Sequence, residues 1–395
     1  MKLYNSVTEK KEDFAPLNKK RVLIYVCGIT PYNTTHLGHA FTYISFDVLI
    51  RYLRYLGYEV SYTQNVTDID DDILKKAAEQ NTSWKELGSF WTKKFQEDMK
   101  LLNILTPTNF VKATNSIEKI IKMVNTLLKK GFAYQRDGNV YFETRKFKDY
   151  GELSHLNSYL MLRFLKERGG DPFDPLKKNP LDFLLWQQSK QGEPLWHSPW
   201  GGGRPGWHIE CSAMINEYLG DKIDIHGGGI DIKYPHHESE IAQSESYTGK
   251  KPFVSYWVHT GTVLYQGEKM AKSLGNLIML SDLFKKYSLN AIRFALLSHH
   301  YRSPWEYKES EFVRAEESFC SIRKAIEKNS ETKFDKNNPH FKEIISFLDD
   351  DLCVTKVLQK LTELSKLESG SLGNKKESSF GGTIKKTLEI LGFAI

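Results

Sequence analysis

Cysteine is scarce in this 395-residue chain, with four residues at Cys27, Cys211, Cys320 and Cys353. They are too few and too scattered for a disulfide framework, and no Cys-x-x-Cys pair is present to mark a metal knuckle. Long apolar runs are lacking too: none approaches the roughly 20 residues that span a bilayer. The opening Met1-Lys2-Leu3-Tyr4-Asn5-Ser6 contains no apolar core of a signal peptide. No internal repeat or long low-complexity tract appears. Neither sign of charge dominates, since 55 basic against 49 acidic residues leave a net +6. That balance is compatible with a nucleotide or nucleic acid and too small to establish either. These absences predict a cytoplasmic, monomeric globular protein with no membrane partner.

What is present centres on Val22 to His39. Val22–Val26 is a short apolar, β-branched run of the kind that forms a fully buried strand. Cys27 and Gly28 end it, a Thr30-Pro31-Tyr32-Asn33 loop follows, and His36-Leu37-Gly38-His39 opens a helical pattern over Phe41–Leu56. Strand, polar loop and helix N-terminus put backbone N–H groups and a positive dipole before a phosphate. Glu59–Gln64 reads as the next strand, so the βαβ order predicts an α/β fold with a parallel, doubly wound sheet. Residues 75–130 read as largely helical, and Gly138 to Phe142 as a hairpin turn entering a strand. Residues about 110–200 read as an insertion, with the sheet resuming at Asp224–Gly229 and Tyr256–His259. The predicted domains are 1–281, carrying the sheet, and 282–395, helical, with helices at Ala291–Leu297, Glu309–Lys328, His340–Leu361 and Phe380–Leu391. Gly370–Ser379 reads as a mobile linker.

Cys27 and Cys211 are both expected where the fold brings strand ends together, while His236 and Glu240 share one face of a helical turn by their i,i+4 spacing. Two thiolates, an imidazole and a carboxylate suit tetrahedral Zn²⁺. Taken singly, each cysteine is more readily a small buried hydrophobe.

Two distant motifs change that balance. His36-Leu37-Gly38-His39 and Lys269-Met270-Ala271-Lys272-Ser273 resemble the HIGH and KMSKS signatures of class I aminoacyl-tRNA synthetases. Trp207-His208-Ile209-Glu210-Cys211 and His236-His237-Glu238-Ser239-Glu240 resemble segments of cysteinyl-tRNA synthetases. The resemblance runs from Leu3 to about Tyr307. It implies a class I Rossmann-like sheet with an inserted connective region and a C-terminal helical bundle. It also implies activation of L-cysteine by ATP, with Mg²⁺, to cysteinyl-adenylate and pyrophosphate. By the same resemblance Cys27, Cys211, His236 and Glu240 hold one zinc that also takes the substrate thiol. Cys27, Gly28, Thr67, Trp207 and Asp231 frame cysteine. Thr30, His36, Gly38, His39, Lys269, Met270, Lys272 and Ser273 contact ATP, with His36, His39, Lys269 and Lys272 catalytic. Ala271 stands where the signature usually has serine.

The acceptor is read from finer wording. The chain stops about where the family's anticodon-binding module begins, so that module is expected to be absent. Cys27-Gly28-Ile29-Thr30-Pro31-Tyr32 with His36-Leu37-Gly38-His39 is similar to the mycothiol-pathway ligase that joins cysteine to glucosaminyl-inositol. Glu240 and Ile241–Glu245 are synthetase-like instead. The leading expectation is transfer of cysteine to the amine of a small amino sugar. The alternatives are a truncated synthetase charging tRNA-Cys, and a non-catalytic paralogue.

Overall fold

The computed structural model describes residues 1–33, 35–270, 274–328, 333–370 and 380–395. Ala271, Lys272 and Ser273, and all but the first residue of the expected linker Gly370–Ser379, lie outside the described residues.

A hairpin of β1 (Lys2–Asn5) and β2 (Lys10–Asp13) opens the chain. The apolar run then forms β3 (Arg21–Ile29), in which Val22, Ile24, Tyr25 and Val26 are fully buried. A strand apolar on both faces suits the middle of a parallel sheet, and β3 sits there. Helix α1 (Leu37–Tyr55) follows, burying the stripe of Ala40, Tyr43, Ile44, Asp47, Val48 and Tyr52, and leads into β4 (Glu59–Val66), parallel to β3. Gly28 makes the pairing of the strand ends possible: a Cβ there would lie 1.5 Å from the Asn65 carbonyl oxygen.

Asp70 caps α2 (Asp71–Glu79) and Ser83 caps α3 (Trp84–Leu101). The segment expected to be mostly helical then contains a strand, β5 (Asn109–Lys112), parallel to β4. Four residues at a sheet edge, polar at both ends, leave too little alternation to be read from the sequence. Helix α4 (Ile117–Lys129) buries Ile117, Ile120, Met123, Val124 and Leu127 at helical spacing.

A second, antiparallel sheet follows, made of β6 (Ala133–Arg136), β7 (Asn139–Phe142), β8 (Phe183–Gln188), β9 (Trp196–Ser198) and β10 (Gly201–Pro205). Its order is β6-β7-β8-β10-β9, and α5 (Ser158–Glu167) lies between β7 and β8 in the chain. Asp137 and Gly138, both at positive φ, make the expected hairpin turn. The chain then returns to the parallel sheet through α6 (Trp207–Tyr218), β11 (Ile223–Gly229), α7 (Glu238–Thr248) and β12 (Val254–Thr260). The parallel sheet is ordered β12-β11-β3-β4-β5. One apolar core joins α1 to the C-terminal helices, and another joins α4, α6 and the antiparallel sheet. Helices thus cover both faces, as a doubly wound sheet requires.

A small sheet of β13 (Val263–Tyr265), β14 (Glu268–Lys269) and β15 (Trp305–Glu306) brackets α8 (Leu280–Lys286) and α9 (Leu289–Leu297) in the chain. The helical end comprises α10 (Glu309–Lys328), α11 (Pro339–Asp349), α12 (Val354–Gly370) and α13 (Gly381–Ile390). The single helix expected over His340–Leu361 is therefore two. Between them Asp351 and Leu352 take φ of +59° and +52°. There the buried Asp351 carboxylate accepts hydrogen bonds from Tyr4 N (2.8 Å), Tyr301 Oη (2.6 Å) and Arg302 Nε (2.7 Å). A tertiary anchor, absent from local periodicity, breaks the helix. No described helix is long and apolar enough to cross a membrane.

One buried ion pair ties the sheet to the helical end. Arg293 on α9 pairs with Asp47 on α1, both essentially unexposed, and donates to the carbonyls of Leu391 (2.7 Å) and Leu102 (2.8 Å). Arg51 reaches the same carboxylate at 2.9 Å. Removing one partner leaves a buried charge uncompensated, so Asp47→Ala should cost about 3–5 kcal/mol in urea unfolding. A loss below about 1 kcal/mol would show that the pair is dispensable.

Candidate active site and metal centre

Ligands of open parallel sheets bind beyond the carboxyl ends of the strands. Cys27 lies near that end of β3, Thr67 just past β4, and Gly227–Gly229 close β11. Two helices bring the rest. Cys211 lies one turn into α6, not at a strand end as its sequence position had suggested. His236 sits in the helical turn that precedes α7, and Glu240 in the first turn of α7 itself.

The four donors expected for a metal converge. One ligand atom from each of Cys27, Cys211, His236 and Glu240 lies within 4.8 Å of the others, and all four residues are buried. His236 Nε2 is 3.0 Å from Glu240 Oε1, and Cys27 Sγ is 3.8 Å from the same oxygen. Burial raises the Cys27 thiol well above its ordinary value. Burial acts likewise on Cys211, but hydrogen bonding to Cys27 and the His236 imidazole outweigh it and lower that thiol. Glu240 also overcomes burial, because the imidazoles of His226 and His236 hold its carboxyl down to about 2. Two sulfurs, an imidazole and a carboxylate, dry and mutually adjacent, fit a tetrahedral zinc site.

Around them stands a set of imidazoles that the sequence reading left without a role. His208 Nδ1 lies 2.9 Å from His236 Nδ1, which keeps His236 Nε2 facing Glu240. His226 Nε2 lies 2.9 Å from Glu240 Oε2. His237 Nε2 comes within 3.3 Å of Cys27 Sγ, while its Nδ1 pairs with His259 Nε2 at 2.8 Å, and His259 Nδ1 with Ser6 Oγ at 2.8 Å. Burial holds His208, His237 and His259 well below the ordinary imidazole value, so they serve as neutral partners. Cys27, His226, His237 and Glu240 form a second close-packed donor group sharing two members with the first. The only sequence signal was that His208 and His237 flank the expected ligands within the quoted motifs. His226 and His259 gave none.

The residues expected to frame cysteine lie alongside. Trp207 stacks on His236 with centroids 4.3 Å apart and planes at 21°. Thr67 is buried, its Oγ1 accepting from Asn65 Nδ2 at 3.3 Å, and Gly28 N donates to Asn65 Oδ1 at 2.7 Å. Asp231 lies in the short turn after β11 and accepts from Lys269 Nζ at 2.8 Å. Glu210, also unforeseen, is fully buried beside this wall. Burial and the neighbouring Cys211 thiol push its carboxyl well above the ordinary range.

Of the residues expected at ATP, Thr30 begins the loop after β3. His36 caps α1, accepting from Gly38 N at 3.1 Å, and its ring stacks on His39 at 3.8 Å. The first signature is joined by backbone to the segment that follows the second: Leu37 N donates to Ile278 O (2.8 Å) and Leu280 N to Thr35 O (3.1 Å). Met270 is buried and Lys269 ends β14, reaching Asp231 across the site. Lys272 and Ser273 fall outside the described residues.

Residues 13–317 match the family model described as the catalytic domain of class I (C) tRNA synthetases. The chain is 44% identical to the cysteine–tRNA ligase of Thermococcus onnurineus, over 98% of this chain and 84% of that one. It is 43% identical to the cysteine–tRNA ligase of Dehalococcoides mccartyi, over 100% and 87%. The chain belongs to the cysteine–tRNA ligase family of class I aminoacyl-tRNA synthetases. Its fold resembles that of Mycobacterium tuberculosis methionyl-tRNA synthetase bound by methionyl-adenylate, with a TM-score of 0.66 over 94% of this chain and 90% of that one at 14% identity. Membership makes it an amino-acid-activating enzyme.

Within this family member, the imidazole that orients an expected ligand can be tested by itself. Partners of that kind typically contribute 10–100-fold to metal affinity. His208→Ala should weaken zinc affinity by about that factor in a chelator competition. Unchanged affinity would mean His236 needs no orienting partner.

Proposed function

We propose that this chain activates L-cysteine with ATP and Mg²⁺ and transfers the cysteinyl group to tRNA-Cys. The observation that carries the amino-acid assignment is the buried cluster of Cys27, Cys211, His236 and Glu240 under the Trp207 ring. Zinc held by those four residues would supply a soft Lewis acid with affinity for a substrate thiolate, which a serine hydroxyl replaces poorly. Trp207 and Thr67 shape the space beside it. Asp231 offers a carboxylate to the substrate ammonium, for which Lys269 must let go. Lys269 then faces the departing pyrophosphate. His36 and His39, at the N-terminus of α1, stabilise charge on the α-phosphate together with the helix dipole. The protein contributes position and charge, while the carboxylate of cysteine attacks and pyrophosphate leaves.

For the acceptor, relatives covered over most of their length are named for tRNA charging. They favour tRNA-Cys over the amino sugar suggested by Ile29-Thr30-Pro31-Tyr32. That wording, with His36–His39, occupies a few residues between the end of β3 and the start of α1, while the similarity extends over nearly the whole chain. The test offers a tRNA-Cys transcript and a glucosaminyl-inositol acceptor together, with ATP and labelled cysteine. Label should appear on the tRNA. Label on the small amine alone would restore the amino-sugar reading.

Two substitutions separate the roles. Cys211→Ser should lose bound zinc and, with it, cysteine-dependent ATP–pyrophosphate exchange; near-stoichiometric metal in that variant would contradict the ligand set. Lys269→Ala should slow adenylate formation by about 10²–10³, with cysteine affinity within about threefold of wild type. Loss of cysteine binding instead would place Lys269 on the amino acid.

A further inference from the structure

A cavity of about 320 Å³, with none of the four metal donors in its lining, opens at the β4–β5 edge of the parallel sheet, just past the ends of those strands. That volume is at the lower end of the usual range for ligand pockets. Asp68, the residue after Thr67, lies at its base, with its carboxylate held by Thr114 N (3.0 Å) and Thr114 Oγ1 (2.7 Å). Trp84 and Lys85 come from the start of α3, Lys112 from the end of β5, and Trp196 from β9 of the antiparallel sheet. The two tryptophan rings meet edge to face, centroids 6.3 Å apart and planes at 68°, and both are only half-buried. Lys85 Nζ stands 5.5 Å from the Trp84 ring centre.

Two accessible aromatic faces flanked by lysines are the chemistry that holds an unpaired nucleotide: the base stacks and the ammonium groups meet phosphate. The adenine of ATP is a poor candidate for this place. Lys269 follows β12, and β11 and β12 lie on the opposite side of β3 from β4 and β5. The cavity is instead next along the chain from the expected cysteine pocket, since Asp68 in its lining directly follows Thr67.

We infer that this cavity seats an unpaired nucleotide of the 3′ end of the RNA acceptor, its base against Trp84 and Trp196 and its phosphates near Lys85 and Lys112. Seated there, the strand passes Asp68 and delivers its terminal ribose to the crevice beside Thr67. The inference rests on the tRNA-charging proposal and adds the place where the acceptor strand is gripped.

The test compares charging of a tRNA-Cys transcript with cysteine-dependent ATP–pyrophosphate exchange. Loss of one stacked base is worth about tenfold or more. Trp196→Ala should therefore raise KM for the transcript about tenfold and leave exchange within about twofold, while Trp196→Phe restores most of the affinity. Gly88→Leu gives an independent route. Gly88 also lines the cavity, and a Cβ there meets nothing nearer than Pro31 Cγ at 3.9 Å, so the side chain fills the space from the α3 side. It should reproduce the same split between charging and exchange. Lys112→Ala should flatten the salt dependence of transcript binding. Wild-type KM in Trp196→Ala and Gly88→Leu would overturn the site, as would equal loss of charging and exchange in both. If the wild-type enzyme shows exchange but charges no transcript, the acceptor proposal itself fails, an outcome distinct from either.

Discussion

Four ionisable groups share one dry spot, and that constraint governs the rest of the molecule. Removing a carboxylate, an imidazole and two thiols from water is unfavourable unless each finds a partner. Glu240 meets the difficulty with two imidazoles, and Cys211 with the His236 ring and the Cys27 thiol. Further imidazoles extend the network until it ends on Ser6 in the turn after β1. For these groups to meet, β3, α6 and the turn before α7 must close on one point. Small residues make that approach possible: Gly28 against Asn65, and Gly227, where a Cβ would lie 2.1 Å from the Phe46 ring of α1.

The nucleotide side is built onto the same strand. Cys27, near the end of β3, belongs to the candidate metal cluster, and nine residues later His36 caps α1. Backbone bonds from Thr35 and Leu37 to the segment at 278–280 tie the first signature to the stretch that follows the second. The bridge from Lys269 to Asp231 joins a residue expected at pyrophosphate to one expected at the cysteine ammonium. In the proposed reaction, cysteine displaces Lys269 from Asp231 and frees an ammonium for the phosphates. Amino-acid binding and charge placement would thereby be coupled through a single ion pair.

Much of this was legible in the sequence, for physical reasons. The β-branched run at Val22, the helical stripe from Ala40 to Tyr52 and the i,i+4 pair His236/Glu240 are local patterns, and local patterns survive in one dimension. What escaped depended on tertiary partners. Strand β5 exists because β4 offers it an edge. The break at Asp351 exists because Tyr4, Tyr301 and Arg302 converge on a carboxylate that local periodicity would leave inside a helix. Cys211 reaches the cluster from a helix because α6 is aimed there by the strands around it. His226 and His259 lie in β11 and β12, where alternation alone reads them as ordinary strand residues. The amino-sugar expectation rests on the expected absence of the anticodon-binding module and on the wording of Cys27–Tyr32 with His36–His39, and whole-chain similarity weighs the other way.

In the proposed reaction Cys27, Cys211, His236 and Glu240 bind a metal that recognises the substrate by its thiol. X-ray absorption on the zinc-loaded protein, before and after addition of L-cysteine, addresses that directly. The prediction is two sulfur neighbours at zinc in the protein alone, one from each cysteine of the cluster, and a third when L-cysteine is added but not when L-serine is. A sulfur count unchanged by L-cysteine would contradict it.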